Sequence, residues 1–332
     1  MNKQLELDIA VAGGSLIATA SGEFNREMLI LARDAKGFTQ KELATQLGST
    51  QSRLSKMESG ELNPLEDDVQ KLVGILEQNR EFFFKQGSAT PASVSFYRKK
   101  LTLPLKVLQR CNAQMNVRRL EIEQQAEGKR LSDRELPFLP PERNGGVEAV
   151  AQAIRREWNI APGPIRTLTR LVEQAGCIVV DYVFPSSKLD GLSIRSPGKP
   201  PVIFLNRDLP KSRRRMSLAH ELGHLLMHKD PHEHVEDEAW DFAAEFLMPR
   251  EQIGPQFEAL NLDGLGRLKT EWGISMQALL YRATKLGKIK ESYSRFLWMQ
   301  IGKYGYRVNE PFEDAIPDER PTDLEKRLNA EM

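Results

Sequence analysis

The sequence predicts a mainly α-helical protein with a small β-sheet, divided into an all-α N-terminal domain and an α+β domain. Apolar residues recur at helical spacing through residues 24–87 and again from 147 to about 300. Three short runs rich in β-branched residues lie between positions 177 and 206, bounded by Gly, Pro, Asp and Asn. A length of 332 residues exceeds one typical domain, so we expect two or three.

The composition excludes several classes of protein. Hydrophobic residues make up 40% and the formal net charge is +1, so the chain can form cores but has no global attraction to nucleic acid. The two cysteines, Cys111 and Cys177, form no disulfide framework and favour a reducing compartment. No apolar run reaches the roughly 18 residues of a membrane span. We therefore expect a cytoplasmic protein without membrane contact, in which residues 1–22 form an N-terminal arm, mobile or folded as a strand, and not a signal peptide.

Residues 23–87 are predicted to form short helices in one domain. The first helix ends at Gly37. The second begins with Thr39 as N-cap and has Glu42 three positions later, which is the pattern of a capping box. The third begins after Thr50, and a fourth, amphipathic helix follows in PLEDDVQKLVGILEQNREFFF.

Residues 88–146 are predicted to be a basic helical linker. Positions 97–119 carry seven Lys and Arg residues and no acid. This stretch can add phosphate contacts, form a solvated face or bind an acidic partner, and the sequence leaves these alternatives open. The stretch LPFLPPERNGG ends the linker. We place the α+β domain at 147–302 and a Pro- and acid-rich, extended tail at 303–332.

The α+β domain is predicted from a change of pattern after residue 147. The runs CIVVDYVF, DGLSIR and PVIFLN predict its strands. Helices are predicted before the strands, in VEAVAQAIRREWN and PIRTLTRLVEQAG, and after them, in KSRRRMSLAHELGHLLMH and VEDEAWDFAAEFLMP.

All five histidines of the chain fall between positions 220 and 234. His220 and His224 stand four residues apart in an apolar helix, so they share one face with roughly 5–6 Å between their Cβ atoms and can bind one cation. Glu221 completes the pattern His-Glu-x-x-His, in which the glutamate holds a water molecule. The alternative is a chance match, which we disfavour because a buried cluster of this kind without a metal is costly.

A catalytic zinc needs a third protein ligand. His228 is eight residues from the first histidine, about 12 Å along the helix axis, and is too far away. In the next helix Glu236 lies on an apolar stripe and Glu238 on a solvated one, so we predict Glu236 as the third ligand. The alternatives are that His232 or His234 is the ligand, and that Glu236 is only a carboxylate favoured by the helix N-terminus.

The segments SLAHELGHLLMH and EDEAWDFAAEFLMP, together with DGLSIRSPGKPPVIFLNRDL before them, resemble the ImmA/IrrE family of zinc metallopeptidases over about residues 150–290. The resemblance implies a zincin-like fold and a Zn²⁺ ion held by His220, His224 and Glu236, which agrees with the stripe argument. Trp240 departs from the Asn that is usual in the family. If that Asn orients a ligand, another residue must do so here.

The chemistry expected of this site is peptide hydrolysis. Zinc lowers the pKa of its bound water toward about 7 and polarises the scissile carbonyl. Glu221, the predicted catalytic residue, accepts the proton and passes it to the leaving amine. The oxyanion needs a further donor. Tyr281 and Arg282 are candidate stabilisers, and the alternative is that both are ordinary helix residues.

The segment GFTQKELATQLGSTQSRLSKMESGELNP resembles the Xre/Cro, lambda-repressor-like helix-turn-helix family. Residues 50–57 match its recognition helix, whose N-terminal residues face the major groove. The residues expected at double-stranded DNA are Gln51, Ser52 and Arg53 on base edges, Lys56 and Gln40 on phosphates, and Thr50 where the helix begins. Residues 1–64 carry seven Lys and Arg against eight Asp and Glu, so a module that binds protein is the alternative.

The two resemblances together imply a DNA-binding transcriptional regulator fused to a zinc-dependent endopeptidase. Its expected partners are an operator in double-stranded DNA and a protein substrate, a repressor or a toxin, in stress response or mobile-element control. A homodimer is left open. The alternative is a non-proteolytic regulator or antitoxin-like protein with a sensing or structural zinc site. Glu221 argues against it, because a purely structural site needs no general base.

Overall fold

The computed structural model describes residues 22–87, 104–127 and 135–322, except positions 185, 187 and 231. The chain divides into two compact units, one made of residues 1–33 and 38–88 and the other of residues 34–37 and 89–332. The expected N-terminal arm, apart from residue 22, lies outside the described residues, as do positions 97–103 of the basic stretch and 323–332 of the tail. The domain boundaries drawn from the sequence stay predictions.

The first unit consists of short helices that bury apolar side chains. They are α1 (Arg26–Lys36), α2 (Gln40–Gln46), α3 (Gln51–Ser59) and α4 (Glu66–Leu76), followed by a 3-10 turn (Arg80–Phe84). The predicted caps are confirmed. Thr39 and Glu42 form both hydrogen bonds of the capping box, and the Thr50 hydroxyl accepts from the amide of Arg53. These caps fix where α2 and α3 begin, and each helix buries a leucine, Leu43 in α2 and Leu54 in α3.

In its described residues, the second unit contains further helices and a three-stranded sheet. Its helices are α5 (Leu105–Gln125), α6 (Val147–Glu157), α7 (Leu168–Gln174), α8 (Lys211–Met227), α9 (Val235–Leu247), α10 (Arg250–Ile253), α11 (Leu262–Trp272), α12 (Met276–Lys285) and α13 (Glu291–Lys303). Short 3-10 turns lie at Pro141–Arg143, Gly254–Phe257 and Glu313–Ala315. Among the helices described, none combines the length and apolar character that a bilayer crossing needs. The predicted class, mainly α with a small sheet, is confirmed.

The sheet consists of β1 (Ile178–Tyr182), β2 (Gly191–Ile194) and β3 (Val202–Asn206), as the three β-branched runs predict. Its order is β1-β3-β2. β1 runs parallel to β3, with Ile178 opposite Val202, and β2 runs antiparallel to β3, with Gly191 opposite Leu205. β2 is therefore an edge strand of this sheet in the part of the chain that is described.

Side chains alternate between the two faces of the sheet, and each face is covered by helix. On one face Val202 and Phe204 pack with Met115 of α5. On the other face Ile203 and Leu205 belong to the larger core that contains α8. A helix of the segment predicted as a basic linker therefore packs on the sheet through its apolar side. α8 and α9 cross closely at Gly223, where an added Cβ would lie 3.0 Å from the Phe242 ring.

The described part of the C-terminal tail is bound to the second unit by its acids. Glu310 accepts hydrogen bonds from the Lys269 ammonium at 2.9 Å and from the amide of Met276 at 2.8 Å. Glu313 accepts from the amide of Ser212 at 2.7 Å. Lys269 is fully buried, so it needs these carboxylates. Two acids of the tail, Glu310 and Glu313, thus have a packing role. The prediction of an extended tail is wrong for its described part, where turns follow Lys303 and a 3-10 turn lies at Glu313–Ala315.

Candidate metal centre and nucleic-acid interface

Helix α8 carries three polar residues of the predicted site in a buried position. Its first turn follows Pro210, and the helix lies between the sheet and α9. His220, Glu221 and His224 are each 1% exposed. Polar groups at this depth need hydrogen-bonding or ionic partners, because burial removes their water. The surroundings of these side chains therefore indicate what they can bind.

Donor atoms from two helices converge at this site. The Nε2 atoms of His220 and His224 are 3.1 Å apart. Glu236, in the first turn of α9 and also buried, has one carboxylate oxygen 3.2 Å from His224 Nε2 and the other 3.7 Å from His220 Nε2. The three side chains form a group whose ligand atoms all lie within 4.8 Å of one another. The structure thus brings together the three residues that the sequence predicts as ligands.

The donor set fits a zinc-type cation. Ligand bonds of about 2.0–2.1 Å in a tetrahedron place neighbouring ligand atoms about 3.3 Å apart, close to the distances observed. Two imidazoles and one carboxylate are a known ligand set of catalytic zinc. Burial lowers the pKa of His224 to about 4, so its ring is neutral at pH 7 and has a lone pair to offer.

Glu221 points toward the edge strand. One of its carboxylate oxygens accepts a hydrogen bond of 2.7 Å from the hydroxyl of Ser193 in β2. Ser193 can reach it because the side chains next to it in the strand, Leu192 and Ile194, pack on the opposite face. Gly191 is equally close, since an added Cβ would lie 3.1 Å from the Cγ of Glu221. Neither residue was predicted as part of the site, although the alternation of DGLSIR places both on one face of the strand.

A hydrogen-bonded chain extends from His224 away from the three ligand atoms. His228, at the C-terminal end of α8 and 8% exposed, has its Nδ1 3.0 Å from the Nδ1 of His224. Its Nε2 lies 2.9 Å from a carboxylate oxygen of Glu238. Burial, and then the neighbouring His224, lower the pKa of His228 to about 4. His228 is too far from His220 to share a metal ion with it. It contacts His224 instead, and this role was not predicted.

Trp240, the departure from the family pattern, lies against a ligand. Its ring is centred 4.1 Å from that of His220, with 36° between the planes. The indole therefore restricts the orientation of the His220 ring by contact. The two other candidates for third ligand lie elsewhere. His232 is 3.7 Å from Glu238, and the exposed His234 is paired with the adjacent glutamate at 3.2 Å.

The two candidate oxyanion stabilisers lie on α12. Tyr281 is 61% exposed. Arg282 is buried and forms an ion pair with Glu245 of α9, and its Nε donates to the carbonyl of Met248 at 3.2 Å. These bonds hold α12 to the C-terminal end of α9, which gives the guanidinium a structural role. A catalytic role for Tyr281 stays a prediction.

The expected DNA-contacting residues of the first unit differ in how they are held. Gln51, Ser52 and Lys56 are exposed on α3, and Thr50 caps that helix. Gln40 donates from its amide to Glu58 at 2.7 Å. The unit therefore presents a short exposed helix face that begins at a capped N-terminus.

Arg53 is engaged inside the unit. Its two terminal nitrogens each donate to a different carboxylate oxygen of Asp68, both at 2.7 Å. Asp68 also accepts from the amide of Leu65 at 2.9 Å and so caps α4. The Arg53 hydrogen bond lowers the pKa of Asp68. A contact of this guanidinium with a base or phosphate would have to replace that ion pair.

Comparison with known families agrees with both regions. Residues 172–284 match the model Peptidase_M78, described as IrrE N-terminal-like domain. Residues 29–82 match the model HTH_3, described as helix-turn-helix. No curated protein matches the sequence significantly. The first match contains the three ligand residues and Glu221, and the second contains helices α2 and α3. The chain therefore joins an Xre-like helix-turn-helix region to a region that matches the IrrE/ImmA-like Peptidase_M78 family.

Proposed function

We propose that the chain is a zinc-dependent endopeptidase that cleaves a regulatory protein, a repressor or a toxin, and that its helix-turn-helix domain binds an operator in double-stranded DNA. One observation carries the peptidase half of this proposal. The ligand atoms of His220, His224 and Glu236 converge in a buried site. Glu221 stands beside that group, hydrogen-bonded to Ser193.

The chain's own residues divide the work of hydrolysis. Zinc held by the three ligands would supply a Lewis acid that activates a water molecule and polarises the scissile carbonyl. Glu221 accepts the proton of the attacking water and returns it to the leaving nitrogen as general base and then general acid. The hydrogen bond from Ser193 holds the Glu221 carboxylate in one orientation. Burial keeps bulk water from competing for that proton.

The edge strand offers a place for the substrate backbone. β2 pairs with β3 on one side, and it carries Ser193, which contacts Glu221. No described strand pairs with its other side, and an extended peptide can add to such a side through main-chain hydrogen bonds. We propose this pairing as the way a polypeptide substrate is placed beside Glu221. It predicts an extended, unfolded cleavage segment in the substrate.

The first test separates proton transfer from metal binding. Glu221→Gln keeps the size and hydrogen bonding of the side chain but removes its ability to take a proton. We expect the zinc content to stay near one per chain and cleavage to fall about 10²–10⁴-fold. The measurement is co-expression with the product of a neighbouring repressor or toxin gene, followed by mass spectrometry of that product and metal analysis of the purified chain.

Glu233→Gln is the matched control, because Glu233 is an exposed glutamate near the site, with a side chain 72% exposed. It should cleave at the wild-type rate. If Glu221→Gln also cleaves at that rate, Glu221 has no part in the reaction. If the wild-type chain cleaves no partner and yet needs zinc to bind DNA, the non-proteolytic sensing regulator replaces the peptidase.

The DNA-binding half rests on the helix-turn-helix match and on the exposed N-terminal face of α3. We propose that Gln51 and Ser52 read base edges, that Lys56 contacts a phosphate, and that Thr50 orients the helix by capping it. Selection of bound duplexes from a random pool by the full chain tests this. Enrichment of one sequence supports it, and no enrichment would leave a module that binds protein.

A further inference from the structure

A second cluster of ligand-type side chains lies next to the first. His228 Nε2 is 2.9 Å from a carboxylate oxygen of Glu238, and His232 Nε2 is 3.7 Å from the same oxygen. Ligand atoms of these three residues lie within 4.8 Å of one another. His228 is buried, whereas the side chains of His232 and Glu238 are 48% and 26% exposed. The cluster is therefore anchored in the fold at one end and open to water at the other.

We propose that His228, His232 and Glu238 form a second divalent-cation site of the zinc type, which works against the first. The ligand set again consists of two imidazoles and a carboxylate. Zinc binds imidazole nitrogen readily, whereas calcium and magnesium prefer oxygen ligands. The open side admits the ion from solvent and leaves a position for water. The part of this proposal that concerns antagonism rests on the first metal site of the proposed function.

The antagonism follows from counting protons on two neutral histidines. When a cation occupies Nε2 of His224, the one proton of that ring must sit on Nδ1. This N–H then donates to Nδ1 of His228, 3.0 Å away. The single proton of His228 must therefore sit on its Nε2, where it donates to Glu238 at 2.9 Å. In this state Glu238 and His228 orient a ligand of the first cation, as outer partners of metal sites do.

A cation at Nε2 of His228 cannot coexist with that arrangement. Its binding moves the His228 proton to Nδ1, where it meets the N–H of His224. The N–H groups on Nδ1 of His224 and Nδ1 of His228 then face each other across 3.0 Å. They repel, because neither nitrogen can accept a hydrogen bond from the other. The contact that orients His224 is lost, and the first cation is held less tightly. Loss of such an outer partner typically costs 10–100-fold in metal affinity. High zinc would thus weaken the first site through the second.

Counting bound zinc tests the second site directly. We expect the wild-type chain to bind two zinc ions in equilibrium dialysis with excess zinc. His232→Ala removes a ligand of the second site that is not a ligand of the first, so it should bind one. His234→Ala is the matched control, since His234 is exposed and paired with Glu233, and it should bind two. An equal number of zinc ions in the wild type and in His232→Ala would overturn the proposal.

A further variant measures the antagonism and keeps the two proposals distinguishable. His220→Ala disables the first site but leaves His224 and the second cluster intact. Coupling between two sites is reciprocal. The zinc affinity of the second site should therefore be about 10-fold to 100-fold higher in His220→Ala than in the wild type with zinc in its first site. Equal affinities would overturn the antagonism. If His220→Ala changes nothing in the zinc count, the first site is the one that fails.

Discussion

The two helices that carry the predicted functional residues differ in their surroundings. In α8 the polar residues His220, Glu221 and His224 are buried between the sheet and α9. In α3 the predicted contact residues Gln51 and Ser52 face solvent. Both helices lie in regions that match known families. They differ in whether their polar side chains need partners within the fold or are hydrated by water.

A buried polar group must find its partners within the fold or in a bound ligand, because desolvation without compensation costs several kcal/mol. The geometry around α8 therefore restricts what its residues can do, and it brings in Ser193 and Glu236 as partners. An exposed side chain is satisfied by water. The geometry around α3 is consistent with DNA contact, but it does not determine which base pairs the helix would recognise.

The largest effect is expected for a buried ligand. Glu236→Ala should lower zinc affinity on the order of 10³-fold, since one ligand accounts for roughly a quarter to a third of the ~10–16 kcal/mol of a zinc site. Asp237→Ala removes the exposed carboxylate next to it in α9 and should leave affinity unchanged. Zinc content after dialysis against a graded chelator measures both. Equal losses of zinc affinity in the two variants would show that Glu236 is no more important to the metal site than the exposed Asp237.

The same contrast between buried and exposed groups can be tested on two ion pairs that join α9 to α12. Glu245 pairs with Arg282, and their side chains are 1% and 3% exposed. Asp241 pairs with Lys285, and theirs are 39% and 42% exposed. Breaking a buried pair leaves an uncompensated charge, so Glu245→Ala should reduce the free energy of unfolding by about 3–5 kcal/mol.

Asp241→Ala is the control and should cost no more than about 1 kcal/mol. Urea unfolding of the zinc-free full chain measures both variants against the wild type. Similar costs for the two variants would contradict the structural role given to Arg282. They would also restore that residue as a candidate for the oxyanion, because its guanidinium would then not be needed for packing.

The sequence predicted the elements and residues that depend on local spacing. The pair His220 and His224 follows from the helical repeat, the strands follow from three apolar runs, and Glu236 follows from the stripe it shares with apolar residues. Ser193 and His228 were missed, because their contacts depend on how a strand and a helix end pack in three dimensions. No periodicity within one element carries that information.

The interpretation of Arg53 shows the same limit. Its place near the start of a recognition helix favoured contact with a base. Its partner Asp68 lies 15 residues later and belongs to α4, where it also caps the helix. The sequence contained both residues but no signal that they meet.

Exposed and engaged residues of α3 should therefore respond differently to substitution. Gln51→Ala should cost roughly 1–3 kcal/mol of binding at one base pair of the selected operator and relax specificity there, with no change in stability. Arg53→Ala should lower the stability of the first unit. Lys56→Ala should weaken binding on all sequences and reduce its salt dependence. Binding isotherms on matched and mutated duplexes at two salt concentrations, together with thermal unfolding, separate the three.

A result that reverses this pattern would change the assignment. If Arg53→Ala leaves stability unchanged and abolishes specificity at one guanine, the Asp68 ion pair is exchanged for DNA on binding. Arg53 would then be a base-reading residue, as the sequence predicts.

The smallest effect concerns the pH dependence of that ion pair. Because Arg53 lowers the pKa of Asp68, the pair stabilises the fold above the ordinary carboxyl pKa of about 3.9. That stability is lost as the pH falls through the lowered value. Asp68→Asn should thus be less stable than the wild type at pH 7, by about 1 kcal/mol or less, and the two should converge in acid. Hydrogen exchange of amides in α3 and α4, compared at each pH, measures the difference. Asp67→Asn, which changes a neighbouring acid with a side chain 76% exposed, should show no such convergence. A difference for Asp68→Asn that persists in acid would show that the charge pair with Arg53 is not the source of the stability that Asp68 supplies.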